Sequence, residues 1–396
     1  MSVWPIYLLI SLGLVLNVLS VTSVVLRLRR LQKPRSEKRA TATVILPITG
    51  FSPNLETLIG ALNAQTLQPR RLIITVESQL DPAWRRATAM ASLARFPIEV
   101  VVAGEASHQA QKCRNQQAAL ARIDAKDDAI VLMDNDIVPQ SWWLSALVSP
   151  LRDGHSDLVT GHRWQRVERH RLGAHLVAAI DRALTLMPRP GWASTSVVWG
   201  GSVGISRDAA RRMDLAGSLE RTLSDDLSLA EHAEAAGLRT LTRGALLIPS
   251  PTALDLPSAW RFAVRQYRIG HIYRPWLWRL AVLCIGLRLA AWVAAFFLIL
   301  NGNMFAVWAA IAMAALAILK QYLVGEVARG IDMPDPLPVR AAQLALGLAQ
   351  PLADMFHFAV LVAAASTRRV TWGHVTYEIA GPYAVEVKER LPFSAS

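Results

Sequence analysis

Two aspartates spaced two residues apart have the types and the spacing to do chemistry. Asp134 and Asp136, separated by Asn135, follow an apolar run at residues 130–133. Such a run is typical of a strand buried on both faces, which places the carboxylates where the strand leaves its sheet. Ligands of open α/β sheets bind beyond the carboxyl ends of strands, and hard divalent cations bind carboxylate and phosphate oxygens together. An Asx-rich turn is the alternative reading of the same spacing.

Other acidic positions have a similar setting. Asp225 and Asp226 follow Ser224, which has the position of a helix N-cap, and aspartates in a first helical turn ordinarily stabilise the helix dipole. Asp81 follows the second apolar run of the chain. A glycine-broken apolar run at residues 197–204 indicates either a close backbone approach to a ligand or a simple bulge. Each of these features is weak by itself.

Alternating apolar and helical patterns predict the elements that hold these residues. The predicted strands are 43–48, 72–76, 98–102, 130–133, 158–164 and 239–248. The predicted helices are 55–65, 84–96, 109–123, 142–151, 172–186, 225–236 and 256–273. The β-α-β-α-β-α-β order at the start predicts an α/β fold with a parallel sheet and right-handed crossovers.

Composition indicates that part of the chain lies in a membrane. Of 396 residues, 53% are hydrophobic, and the formal net charge is +12. The basic residues flank apolar segments instead of forming a nucleic-acid module, which favours an anionic membrane face as their partner. The two cysteines, Cys113 and Cys284, share no metal-ligand spacing, and Cys284 lies inside an apolar stretch. Two such cysteines exclude a disulfide framework in practice, which is consistent with a reducing compartment.

The first apolar segment, residues 5–26, is long enough to span a bilayer. Basic residues follow it and none precedes it, so the pattern predicts an uncleaved anchor with its N-terminus outside and a cytosolic domain after it. Residues 256–273 combine arginines with aromatic side chains, which is typical of a helix at the membrane interface.

Three apolar stretches come late in the chain, at residues 277–300, 304–324 and 339–365. The first two predict a helical hairpin. The third contains Asp354 and His357, and Pro351 is expected to kink it. Three full spans would place the basic end of this stretch outside, against the positive-inside rule, so we expect the third stretch to be re-entrant or interfacial.

In order along the chain, the acidic motifs and a later arginine motif resemble those of a known family. The residues are Asp81, Asp134-x-Asp136, Asp225-Asp226 and Arg265-Gln-Tyr-Arg268. They resemble the three aspartate motifs and the (Q/R)xxRW box of family 2-type glycosyltransferases with a GT-A fold. The closest resemblance is to membrane-bound ceramide glucosyltransferases and their bacterial relatives, including hopanoid glycosyltransferases. It covers nearly the whole chain, to residues 371–377. Two departures are Ile269, where the family prefers Trp, and Glu77, which competes with Asp81 as the first acid.

The resemblance implies a role for each donor-side residue. Asp81 would lie near the uracil or ribose of a nucleotide sugar, and Asp134 near the ribose or the transferred sugar. Arg265 and Arg268 would bind the departing diphosphate, and Lys112 would lie near the donor.

The resemblance also implies the catalytic groups. Asp136 would ligate Mg²⁺ or Mn²⁺ bound to the diphosphate. Asp226 would be the general base, with Asp225 as its close competitor. One base without a nucleophile partner implies direct displacement with inversion at the anomeric carbon.

Together these features predict a membrane glycosyltransferase. The implied domains are an anchor (1–27), a basic linker (28–41), a cytosolic GT-A domain (42–255), an interfacial helix (256–275), a transmembrane or re-entrant region (276–366) and a cytosolic tail (367–396). The implied reaction is hexose transfer from a nucleotide sugar, UDP-glucose in the first instance, to a membrane lipid hydroxyl such as that of ceramide. A hopanoid, diacylglycerol or a polyprenyl phosphate are alternative acceptors. A processive polysaccharide synthase, a non-catalytic scaffold and a nucleic-acid binder are more distant alternatives.

Overall fold

The computed structural model describes residues 4–29, 31, 40–124, 126–187 and 198–393. Most of the predicted basic linker, residues 32–39, and Val197 of the glycine-broken run therefore lie outside the described residues. The chain forms two compact units. The helical unit comprises residues 1–31, 164–188 and 251–367, and the sheet unit comprises 32–163, 189–250 and 368–396. This division departs from the boundaries drawn on the sequence, because residues 164–188 belong to the helical unit and 368–396 to the sheet unit.

The described elements are as follows. The strands are β1 (Ala42–Pro47), β2 (Arg71–Val76), β3 (Ile98–Val102), β4 (Ala129–Met133), β5 (Leu158–Val167), β6 (Ser202–Ser206), β7 (Thr240–Thr252), β8 (Arg369–Trp372), β9 (Val375–Gly381) and β10 (Ala384–Arg390). The helices are α1 (Trp4–Arg29), α2 (Leu55–Asn63), α3 (Pro82–Met90), α4 (Gln111–Leu120), α5 (Trp143–Arg152), α6 (Leu172–Thr185), α7 (Arg207–Arg212), α8 (Asp225–Ala235), α9 (Leu256–Tyr273), α10 (Pro275–Leu300), α11 (Met304–Gly330), α12 (Leu337–Leu348) and α13 (Gln350–Ala364).

The sheet unit is built on a seven-stranded sheet with the strand order β3-β2-β1-β4-β6-β5-β7. Strands β1 to β4 pair in parallel, and β6 is antiparallel to both β4 and β5. The predicted α/β fold with a mostly parallel sheet is confirmed. Helix α3 is shorter than the prediction of 84–96, since it ends at Met90.

Burial on both faces explains why the apolar runs form the central strands. In β1, Val44 and Leu46 pack into one hydrophobic cluster while Ile45 packs into another on the opposite face. All residues of β1 and β4 are buried. Parallel strands covered by helices on both faces require such continuous apolar runs. The carboxyl ends of β1, β2 and β4 therefore meet at one edge of a rigid sheet.

A second sheet in the sheet unit was not predicted from the sequence. Strands β8, β9 and β10 form an antiparallel sheet in the order β10-β9-β8. Gly373 has a φ of +61° in the short turn between β8 and β9, a backbone conformation that favours glycine. Residues 369–390 of the predicted tail are thus a folded part of the sheet unit.

Within the described part of the helical unit, the three helices α1, α10 and α11 are long and apolar enough to cross a membrane. Helix α1 packs closely on α10, since a Cβ added at Gly13 would lie 2.4 Å from Cβ of Ala291. The third apolar stretch is two helices, α12 and α13, which meet at an angle of 83°. Pro351 lies in the first turn of α13, so the predicted kink is confirmed.

Candidate active site

A single lysine joins two of the acidic motifs at the carboxyl edge of the sheet. Lys112 lies in the first turn of α4, which follows β3. Its Nζ is 2.7 Å from Oδ1 of Asp134, beyond β4, and 2.9 Å from Oδ2 of Asp225, in the first turn of α8. The structure therefore brings together three residues, of which the first and the last are more than 110 positions apart in the sequence.

The charge state of Lys112 follows from these neighbours. Burial by itself would lower the pKa of Lys112, but the carboxylates of Asp134 and Asp225 outweigh it and raise the pKa well above its ordinary value. The side chain is therefore a permanent cation. Its single positive charge is shared between the two carboxylates.

The glycine pair before β6 makes room for both carboxylates. A Cβ added at Gly200 would lie 2.4 Å from Oδ2 of Asp225, and one added at Gly201 would lie 2.8 Å from Oδ2 of Asp134. The Nε2 atom of Gln116 donates a hydrogen bond of 2.8 Å to Asp225, whose residue is only 2% exposed. The backbone of this run therefore lies close to two acidic side chains of the protein itself, and a close approach to a ligand stays a prediction.

Asp226 differs from its neighbour in its partners. The carboxylate accepts hydrogen bonds from Oγ of Ser224 and, at 2.8 Å, from the backbone N–H of Leu227. Burial, followed by the negative charge of Asp225, raises the pKa of Asp226 to about 6. Ser224 also accepts a hydrogen bond from the N–H of Leu227, which confirms it as the N-cap of α8.

Asp136 is the acidic group of this cluster that is open to solvent. Protein atoms around its carboxylate and the charge of Asp134 nevertheless raise its pKa. A cation at this point would relieve that repulsion. Among the described residues there is no group of three or more His, Cys, Asp or Glu side chains arranged to hold a metal ion. Asp136 fits a cation that takes one or two carboxylates and completes its shell with substrate phosphates and water, as Mg²⁺ commonly does.

Asp81 lies at the same edge but has structural partners. It is the N-cap of α3, where Oδ1 accepts from the N–H of Ala83. The same carboxylate accepts from the N–H of Gly50 at 2.8 Å and from the hydroxyl of Thr49 at 3.0 Å. Asp81 therefore holds the loop after β1. Asn135 contacts the same loop through Oγ of Ser52.

Glu77, the competing first acid, is engaged elsewhere. Its carboxylate pairs with Nη1 of Arg390 at 2.6 Å and with Nε2 of His374 at 3.0 Å, and the residue is 2% exposed. These contacts fasten the C-terminal sheet to the end of β2.

Arg265 and Arg268 lie on α9 of the helical unit. The guanidinium of Arg265 is 5.7 Å from the ring centroid of Phe262. Arg268 donates to the carbonyls of Ala363 and Ala364, each at 3.3 Å, at the C-terminal end of α13. Burial lowers the pKa of Arg268. The diphosphate-binding role of both arginines stays a prediction.

Comparison with protein families identifies the chain. The model for glycosyl transferase family 21 matches residues 7–382. The chain belongs to glycosyltransferase family 21. This family 21 protein is therefore an enzyme that transfers a sugar from a nucleotide-sugar donor, and the resemblance found on the sequence is confirmed.

Similar solved structures include two glycosyltransferases. A mannosyltransferase from Pyrobaculum calidifontis, in complex with GDP-Man and Mn²⁺, is 18% identical over 90% of this chain and 97% of that chain, with a TM-score of 0.43. Glucosyl-3-phosphoglycerate synthase from Mycobacterium tuberculosis, in complex with Mn²⁺, UDP-glucose and glycerol 3-phosphate, is 16% identical over 61% of this chain and 85% of that chain, with a TM-score of 0.38. At these identities and TM-scores, neither bears on the substrates of the family 21 enzyme. No curated protein matches the chain.

Sequence reasoning missed two parts of the site. Gln116 was not singled out, because a glutamine on a helix has no distinctive signal without its partner. The C-terminal sheet was missed although residues 369–372 and 375–381 are separated by a two-residue turn that begins with glycine. That arrangement is a hairpin signal.

Proposed function

We propose that this family 21 enzyme moves a hexose from UDP-glucose to the hydroxyl of a membrane lipid, with ceramide as the first acceptor to test and inversion at the anomeric carbon. The observation that carries the proposal is the ion-pair cluster in which Lys112 joins Asp134 to Asp225. It gathers the second and third acidic motifs at the edge of the sheet where ligands of such folds bind.

Asp226 is the proposed general base. A base must be ionised at the working pH yet basic enough to take a proton from the acceptor hydroxyl, and a pKa of about 6 meets both requirements. Asp225 is less suited to this role because its carboxylate is already bound by Lys112 and Gln116. We assign Asp225 to holding Lys112 in place.

The donor end is proposed to lie at Asp134 and Asp136. Asp136 would hold Mg²⁺ or Mn²⁺ together with the diphosphate, and the bound cation would neutralise charge on the departing nucleoside diphosphate. Lys112 supplies a fixed positive charge beside Asp134. Asp81 would orient the nucleoside through the loop after β1, and Arg265 and Arg268 would bind the leaving diphosphate.

The lipid acceptor is supported by the apolar helices. The described residues include three helices that could cross a membrane, and α9 carries Trp260 and Phe262 among its arginines. Such helices favour a position at the interface, from which a lipid hydroxyl can be reached. We place the enzyme in a bacterial inner membrane, with the sheet unit in the cytosol.

The test is sugar transfer with membranes that contain the enzyme. Radiolabelled UDP-glucose and other UDP-sugars are incubated with ceramide, a hopanoid polyol, diacylglycerol or polyprenyl phosphate, and lipids are extracted. The proposal expects one labelled glycolipid with a single added sugar. A ladder of oligomers would indicate a polysaccharide synthase instead. If the Asp136→Ala and Asp226→Asn enzymes both still form labelled lipid, the assigned residues are contradicted.

A further inference from the structure

A buried ion pair anchors the C-terminal sheet, β8 to β10, beside the carboxyl edge of the seven-stranded sheet. Arg390 of β10 pairs with Glu77 at 2.6 Å, and His374 approaches the other oxygen of the same carboxylate. Glu77 is the first residue after β2. The carboxylate of Glu77 has almost no access to solvent, so removal of Arg390 would leave it with His374 as its remaining basic partner.

The same sheet fixes the segment that leads into α4. Arg390 Nη2 donates to the carbonyl of Ala106 at 2.9 Å, and the N–H of Val387 donates to the carbonyl of Ser107 at 3.0 Å. The hydroxyl of Tyr377 accepts from the N–H of Gln111, the first residue of α4, at 3.0 Å. Lys112 is the next residue, so the sheet sets the position of the helical turn that carries the lysine.

The turn between β8 and β9 lies near both Lys112 and the loop that Asp81 holds. Nζ of Lys112 is 6.0 Å from the ring centroid of Trp372, within the range of a cation–π contact. A Cβ added at Gly373 would lie 3.8 Å from Cγ2 of Thr49, whose hydroxyl donates to Asp81. Trp372 is half-buried, so part of its ring is open to solvent. The indole therefore borders the space between Lys112 and the loop held by Asp81.

We propose that the turn between β8 and β9 is a wall of the donor site, with Trp372 stacking on the nucleoside of the nucleotide sugar. The inference rests on the proposed function, because it takes Lys112 and Asp81 to flank the donor. A flat aromatic ring suits a planar base on one face, and stacking of this kind tolerates several bases. Arg390 acts as a positioning residue that holds the wall through Glu77.

The experiment measures the affinity of UDP, in the presence of Mg²⁺, for the full-length enzyme in detergent by calorimetry. Trp372→Ala should weaken UDP binding roughly tenfold or more, in line with the usual loss when an aromatic stacking partner is removed. Trp372→Phe should stay within about threefold of the wild type, since a ring remains. Lys388→Met is the matched control, because Lys388 is an exposed residue of the same sheet and pairs with Glu378 and Glu386.

The outcomes separate this inference from the proposed function. Weakened UDP binding in Trp372→Ala, with unchanged binding in Lys388→Met and unchanged thermal unfolding in both, supports the inference. Wild-type affinity in Trp372→Ala overturns it and leaves the proposed function standing. A wild-type enzyme that binds no UDP contradicts the proposed donor, and the inference falls with it. If Trp372→Ala does not fold, Trp372→Leu keeps the apolar bulk without the ring, and the same loss or retention of affinity decides.

Discussion

Asp225 and Asp226 are adjacent in the chain and have different chemistry. Lys112 and Gln116 bind the carboxylate of Asp225, whereas Asp226 is held by its own helix start. Burial and the charge of Asp225 raise the pKa of Asp226 to about 6. The difference between the two residues therefore arises from which face of the first turn of α8 meets Lys112.

The raised pKa predicts a pH profile for sugar transfer. Asp226 accepts a proton only when it is ionised, so the rate should fall about tenfold per pH unit below pH 6 and level off above it. The measurement is initial rate against pH between pH 5 and 8 at saturating donor. A flat acid limb would contradict Asp226 as the base.

Replacement of the base should separate catalysis from stability. Asp226→Asn should lower the rate roughly 10²- to 10⁴-fold, the usual contribution of a general base, without weakening UDP binding. The folded-state pKa of Asp226 is above its unfolded value, so ionisation destabilises the folded enzyme as pH rises through about 6. Asp226→Asn should therefore unfold at a higher temperature than the wild type at pH 8, and a lower unfolding temperature there would count against the assigned pKa.

A side chain at position 200 should displace the carboxylate of Asp225. Gly200→Ala places a Cβ 2.4 Å from Oδ2 of Asp225, which must move and disturb its contact with Lys112. We expect transfer activity to fall by at least tenfold, an estimate based on the sensitivity of catalysis to small displacements. Gly60→Ala is the control, since an added Cβ on this exposed residue of α2 meets nothing within 4 Å and should stabilise the helix by about 1 kcal/mol. Equal transfer activity in the Gly200→Ala and Gly60→Ala variants would contradict this prediction.

At the scale of elements, α13 presents a buried polar stripe to three other helices. Gln350 donates to Asn17 of α1, Asp354 pairs with Arg288 of α10, and His357 contacts the hydroxyl of Tyr267 on α9. The spacing of four and three residues puts all three side chains on one face of α13. Ionisable groups among apolar helices face protein in this way because exposure to lipid is costly.

Single and double variants of the Arg288–Asp354 ion pair should differ in their effect on the stability of the helical unit. Nε of Arg288 is 2.6 Å from Asp354, and both side chains are largely buried. Asp354→Ala leaves an unpaired arginine and should destabilise the helical unit by about 3–5 kcal/mol. The double variant Arg288→Leu with Asp354→Leu should recover most of the loss, because no charge remains buried. Thermal unfolding in detergent measures both, and a double variant no more stable than Asp354→Ala would contradict this account.

For the whole molecule, the C-terminal sheet, β8 to β10, limits the membrane topologies that are possible. Residues 368–396 belong to the same compact unit as residues 40–163, so both lie on the same side of the membrane. If α10 and α11 both cross the membrane, as their length and apolar composition allow, they supply two crossings between these segments. A single further crossing by the bent pair α12 and α13 would then separate the two parts of the sheet unit, so we expect this pair to re-enter the membrane instead of spanning it.

This topology predicts which surfaces are accessible. An epitope inserted at Gly302, in the turn between α10 and α11, should be reached by antibody in intact spheroplasts. Epitopes inserted at the exposed Gly154 and after Arg390 should be reached only after permeabilisation. If the epitope after Arg390 is accessible from the same side as the one at Gly302, the re-entrant interpretation is wrong.

Much of the fold could be predicted because it depends on local patterns. Continuous apolar runs marked the parallel strands, since a strand covered on both faces has no polar side. The carboxyl end of β4 then followed, with Asp134 and Asp136 on it. The basic residues after α1 and the kink at Pro351 were equally local signals.

What depends on contacts distant in the chain could not be read in this way. The sequence by itself determined the parallel strands β1 to β4, the acidic motifs and the presence of apolar helices, because each depends on neighbouring residue types. The tertiary structure decided which of Asp225 and Asp226 is bound by Lys112, and it placed Tyr377 on the start of α4 across 266 residues of chain. The physical reason is that burial and the charges nearby set the chemistry of a carboxylate, and both arise only when separate segments pack together.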